Sequence, residues 1–172
     1  MTTVTLTPRS AIGVSLTARQ LYDLAPFGAV VAFSNNQPKP PAHHKKKLQH
    51  WQYENSKGRF EKTEAGTTIG NVTLEPGFTL LRHESTIIKM YCTYSALSLK
   101  YTYSIISVPE PGSIIRWTKY GDNKELQEIY SSLEAFREKS QREKHYTPQF
   151  YWMVMSDGTM QDFAFEQLQA AE

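Results

Sequence analysis

"ALSLKYTYSI", residues 96–105, alternates without a break. Leu97, Leu99, Tyr101, Tyr103 and Ile105 fall on one side of an extended chain, and Ser98, Lys100, Thr102 and Ser104 fall on the other. A strand with one buried and one wetted face belongs to an antiparallel sheet more readily than to a parallel one, whose strands are covered on both sides. The neighbouring stretches repeat the theme. "FTLLRH" (78–83), "STIIKMYCTY" (85–94) and "SIIRWTKY" (113–120) are rich in β-branched and aromatic residues, and Pro76-Gly77 and "VPEPG" (108–112) punctuate them. Upstream, "GAVVAF" (28–33) reads as a short buried strand. In "LQHWQYEN" (48–55) the alternation of Trp51 and Tyr53 predicts another, which turns through "NSKG" into "RFEKTE" (59–64).

Helical signals are few. "SLTARQLYDLA" (15–25) places Ala18, Leu21, Leu24 and Ala25 at helical spacing after the capping candidates Ser15 and Thr17, and Pro26 and Gly28 end it. A long helix is expected from Asp122 to about Lys144. Asp122 and Glu125 resemble a capping box, Leu126, Ile129, Tyr130, Leu133 and Phe136 form a stripe, and Thr147-Pro148 stops it. "FYWMVMSDGTMQDFAF" (150–165) reads as a hairpin turning on Asp157-Gly158, with Trp152 opposite Phe163 and Phe150 opposite Phe165. Strands followed by a helix, without βαβ alternation, predict an α+β fold. Its core would be a mainly antiparallel, strongly bent sheet or partly open barrel, with one long helix in the C-terminal half and a short N-terminal helix.

A chain of 172 residues, 40% hydrophobic and 21% charged, is expected to form a single domain over 1–172 that buries about 70% of its unfolded surface. No apolar run approaches a membrane span, and "MTTVTLTPRSAIG" lacks the basic start and apolar stretch of a secretory signal. These features predict a cytoplasmic chain with no membrane partner. Cys92 is the only cysteine, so no internal disulfide forms, and its setting in "IIKMYCTY" reads as a buried thiol.

Searching for chemistry excludes several classes. His43, His44 and His50 are the only clustered histidines, and no HExxH or CxxC spacing accompanies them, so neither metal nor cofactor is expected. There is no GxSxG elbow and no phosphate-binding lysine motif, and His83, Glu84 and Ser85 are merely consecutive. No catalytic residue is assigned on these grounds. An enzyme would need a site assembled by the fold from distant groups such as His83, His145 and carboxylates.

Charge supplies the strongest functional signal. Residues 39–62 carry seven Lys or Arg against two Glu, whereas after Lys144 there is no Lys or Arg, and the tail bears Asp157, Asp162, Glu166 and Glu172. The Pro-rich basic segment 34–47, "SNNQPKPPAHHKKK", reads as a flexible loop that orders on contact. The lead reading is a non-catalytic binding module for nucleic acid, single-stranded or non-specific, or another polyanion. Lys45, Lys46, Lys47, Lys57, Arg59 and Lys62 would contact phosphates, and Trp51, Tyr53 and Phe60 would stack on bases. The alternative is a structural or protein-interaction domain whose protein partner meets the Pro-rich loop, through the Pro38 and Pro41 spacing, or the acidic C-terminal tail. A third reading is a small-ligand pocket lined by Tyr101, Tyr103, Trp117 and Trp152.

Overall fold

A computed structural model describes residues 7–83, 86–91, 100–140 and 149–170. The chain divides into two compact units, Met1–Val108 and Pro109–Glu172.

The first unit begins with α1 (Ala18–Leu24). Thr17 caps it as the spacing predicts: Gln20 N donates to Thr17 Oγ1 at 3.2 Å, and Thr17 N donates back to Gln20 Oε1 at 2.9 Å. Ala18 and Leu21 are its buried residues. There follow β1 (Val30–Ser34), α2 (Lys45–Glu54), β2 (Ser56–Glu64), β3 (Thr67–Ile69), β4 (Val72–Leu74), β5 (Gly77–His83), β6 (Thr86–Tyr91) and β7 (Thr102–Ser107). Five strands form an antiparallel sheet in the order β7-β1-β2-β5-β6, and β3 and β4 make a separate exposed hairpin. The core is aromatic at its centre. Phe60 stacks on Phe78 at 5.4 Å, and Phe78 meets Tyr103 edge-on at 5.6 Å, all three buried.

The second unit contains β8 (Ile114–Tyr120), β9 (Asn123–Tyr130), α3 (Leu133–Ser140), β10 (Phe150–Val154), β11 (Met160–Phe163) and α4 (Phe165–Ala170). Its antiparallel strands run in the order β9-β8-β10-β11. Ile114, Tyr130, Phe136, Tyr151 and Leu168 form its core, in which Phe136 takes Tyr130 and Tyr151 edge-on at 5.2 and 5.3 Å.

The α+β class and the antiparallel sheet are as expected, but neither sheet closes into a barrel among the described residues. The helices differ most. Where a helix is expected from Asp122, Gly121 at φ 60 and Asp122 turn the chain, and residues 123–130 return as β9 against β8, pairing Tyr120 with Asn123. Only Leu133–Ser140, eight residues, is helical, and 141–148 lies outside the described residues. A two-residue turn with a glycine at positive φ commits the next segment to pairing, which overrides the helix propensity of "KELQE". Conversely, "KKKLQHWQYE", expected as loop and strand, is α2. It has no β-branched residue and consists largely of straight-chain helix formers.

The C-terminal hairpin forms with a different turn. Gly158 N donates to Met155 O at 2.9 Å and Met155 N to Thr159 O at 2.8 Å, a tight turn closed by Gly158 at φ 84. The register therefore slips by one, setting Trp152 opposite Asp162 and Tyr151 opposite Phe163. Of the strand expected over 96–105, residues 96–99 lie outside the described residues, as does Cys92; β7 begins only at Thr102, Lys100 being helical and Tyr101 outside the strand, and Tyr103 and Ile105 are buried on it as the alternation predicts. No helix among the described residues is long and apolar enough to cross a membrane.

β2 and β5 approach closely at Gly58, where an added Cβ would lie 2.9 Å from Leu80 Cβ and 3.1 Å from Leu81 O. Gly58→Ala is expected to lower stability by about 1–3 kcal/mol in urea denaturation. Parent-like stability would contradict this packing.

Candidate anion-binding groove

Helix α2 is built against the usual electrostatic preference. Its first turn holds Lys45, Lys46 and Lys47, no acidic residue, and an N-cap, His44, whose side chain makes no capping hydrogen bond. Cations at a helix N-terminus face the positive end of the macrodipole, a cost of about 0.3–1 kcal/mol each. The helix is instead fixed farther along. Trp51 is half-buried and donates from Nε1 to Gln37 O at 2.8 Å, which pins the Pro-rich segment onto the helix. That bond ties the segment Ser34–His44 to α2 at Gln37, while most of the segment is exposed. Its turn is helped by Asn36 at φ 58, a conformation that asparagine tolerates.

Helical spacing brings Lys46, Lys47, His50, Trp51 and Glu54 to one face, and Pro38 and Pro40 stand across from them. Together they line a groove of about 460 Å³. At one end Glu54 is buried and accepts from Asn35 Nδ2 at 2.7 Å, from Lys100 Nζ, and from Tyr101 Oη at 3.4 Å, with His50 Nε2 3.5 Å away. Asn55 extends the network, donating to Asn35 Oδ1 at 2.9 Å and accepting from Ser34 Oγ at 2.6 Å.

The Lys100 hydrogen bond holds the Glu54 carboxyl below its ordinary pKa, with burial opposing and Asn35 assisting. The same bond raises Lys100, again against burial, while burial chiefly raises Tyr101. Glu54 is therefore ionised and fully engaged, which makes it a structural tie rather than a general base. The groove presents cations at one end and a neutralised carboxylate at the other.

The structure assembles part of the expected constellation. Lys45, Lys46, Lys47 and Lys57 are exposed, and Trp51 lines the groove. Tyr53, expected beside Trp51 on a strand face, is two residues away on a helix and projects elsewhere, with the Arg82 guanidinium 4.7 Å from its ring centre. Arg59 pairs with Glu61 at 2.7 Å, which compensates its charge. Phe60 must be corrected: it is fully buried in the core and offers no ring to a base. Lys62 sits on β2 opposite Thr79. Sequence reasoning missed Asn35, Glu54 and Lys100; helical periodicity over 45–54 would have put Glu54 on the face of Lys47 and Trp51. In the third reading, Tyr103 proves to be core of the first unit and Tyr101 a partner of Glu54, while Trp117 and Trp152 meet at a tilt in the second. Among the described residues no group of His, Cys, Asp and Glu could hold a metal ion.

The chain belongs to the family described as Uncharacterised conserved protein UCP036055, whose model matches residues 16–157. No curated protein and no solved structure matches it.

Because Glu54 has a depressed folded-state pKa, its contribution to stability is present above the ordinary carboxylate value. It is lost as the pH falls through the folded value. Lys100, raised, contributes below the ordinary lysine value and loses that contribution as the pH rises through its folded pKa. Glu54→Gln is expected to cost about 1–2 kcal/mol at neutral pH. In urea denaturation against pH the gap should close through the acid range as the parent's Glu54 protonates; parallel curves would contradict the assignment.

Proposed function

For this member of the family we propose that the first unit is a non-catalytic binding module for an anionic polymer, with single-stranded nucleic acid the leading occupant of the α2 groove. One observation carries the reading: three exposed lysines fill the first turn of α2 with no acidic residue or side-chain cap to offset them. A phosphate there would meet both the ammonium groups and the positive end of the helix. Beside it, the wall formed by Trp51, Pro38 and Pro40 offers apolar surface to a base, in a space within the range of about 300–1,000 Å³ usual for ligand clefts. A single strand can place an unpaired base against that wall, whereas a duplex keeps its bases stacked inside. The phosphate-binding set is Lys45, Lys46 and Lys47 with Lys57, and the stacking residues are Trp51 and, on a separate side, Tyr53.

A protein partner at the Pro-rich loop is the second reading, favoured by the exposure of Pro38 and Pro41. It predicts binding that is insensitive to salt.

The test is the triple variant K45A/K46A/K47A in anisotropy titrations with a labelled single-stranded oligonucleotide over a range of salt. The variant is expected to bind more weakly, with a salt slope smaller by up to about 0.7 for each phosphate that is no longer neutralised. Equal binding by parent and variant at every salt concentration would remove α2 from the site.

A further inference from the structure

The second unit carries an aromatic row of its own. Phe150 pairs with Trp117 across β10 and β8, and Trp152 lies two residues along β10, on the same face as Phe150. Trp117 lies between them, stacked on Phe150 with ring centres 4.6 Å apart at 23° and tilted against Trp152 at 4.6 Å and 35°. From β9, Lys124 reaches over the row, its Nζ 5.1 Å from the Trp117 ring centre and 5.3 Å from that of Trp152. These residues line a cleft of about 730 Å³.

Two features are not explained by core packing. Trp117 is only 6% exposed, yet its indole N–H is buried without a hydrogen-bond acceptor among the described residues, a state that ordinarily costs about 1–3 kcal/mol. Lys124, half-buried, is paired with no carboxylate among the described residues. Charge within the cleft leans positive. Lys119 and Lys124 face one carboxylate, Asp162, which accepts from Trp152 Nε1 at 2.6 Å.

Aromatic walls can attract either a cation or another flat ring. Lys124, already lying over two of the rings, repels a cationic guest. We propose that this cleft binds a planar heteroaromatic ring bearing an anionic group, the combination a nucleotide presents. The ring lies along Trp152 and Phe150, the latter 39% exposed, and the anion pairs with Lys124. The assignment lies wholly within the second unit and does not rest on the α2 groove.

The experiment uses the full chain carrying Trp51→Phe, so that emission reports Trp117 and Trp152 alone, titrated with adenosine monophosphate, with adenosine, and with ribose 5-phosphate. Saturable quenching by adenosine monophosphate is expected, with none from ribose 5-phosphate, which lacks the ring. Affinity should fall by about tenfold both for adenosine and in a Lys124→Ala variant, each of which removes one charge-assisted hydrogen bond. The indole N–H resonances of Trp117 and Trp152 in the unsubstituted protein give an independent readout and should move with the same ligand. A short oligoadenylate binding more tightly than the mononucleotide identifies a strand as the source of the nucleotide, and equal affinity identifies the free nucleotide. The proposal is overturned by unmoved resonances and no saturable quenching up to about 10 mM, ten times weaker than a millimolar complex. Quenching identical in Lys124→Ala would overturn it equally. Neither result bears on the lysine-dependent binding assigned to α2.

Discussion

The Glu54 carboxylate organises the first unit's site. It takes hydrogen bonds from Asn35, which directly follows β1, and from Lys100, while belonging itself to the last turn of α2. A ten-residue helix that opens on three lysines without a cap has little stability of its own. Tertiary contacts must therefore hold it, and they are gathered at its far half, where Trp51 fastens the proline segment and Glu54 fastens the strand end. That division leaves the N-terminal turn to carry positive charge. An anion arriving there would relieve an electrostatic cost already built into the fold.

Much of the fold was legible from residues alone. The Thr17 cap, the strands around Val31, Phe78 and Ile115, and the turn near Gly158 all follow from local chemistry. The two serious misreadings mirror each other. Residues 48–55 suggest a strand because Trp51 and Tyr53 stand two apart, yet two aromatics are too few to fix a period, and the absence of β-branched residues favours the helix that forms. Residues 123–130 carry the composition of a helix, yet the Gly121-Asp122 turn delivers them to an unpaired edge of β8, and pairing prevails. Phe60 shows a further limit: a ring next to Arg59 reads equally well as stacking surface or core until the strand's buried face is known, and here it is core.

The one-residue slip in the C-terminal hairpin explains why only part of the second cleft was legible, Trp117 and Trp152 being named as pocket residues but not Phe150 or Lys124. With Trp152 opposite Phe163, as a two-residue turn would require, the aromatics form an ordinary cross-strand core pair. The observed turn sets Trp152 against Asp162, leaving its ring beside Trp117 and under Lys124. It also gives the acidic tail local employment. Asp157 accepts from the amide and hydroxyl of Thr159 at 2.8 and 2.7 Å, bonds that hold its carboxyl below the ordinary range, and Asp162 holds the Trp152 indole. These two carboxylates have partners within the hairpin.

Whether the first turn of α2 receives anions is tested by amide-resolved NMR of the protein titrated with a short oligothymidylate. The backbone resonances of Lys45, Lys46 and Lys47 and the Trp51 indole signal are expected to move together and return as salt is added, while Phe60 stays in place. Shifts confined to other surfaces, or a Trp51 indole signal that remains fixed while the strand binds, would contradict it.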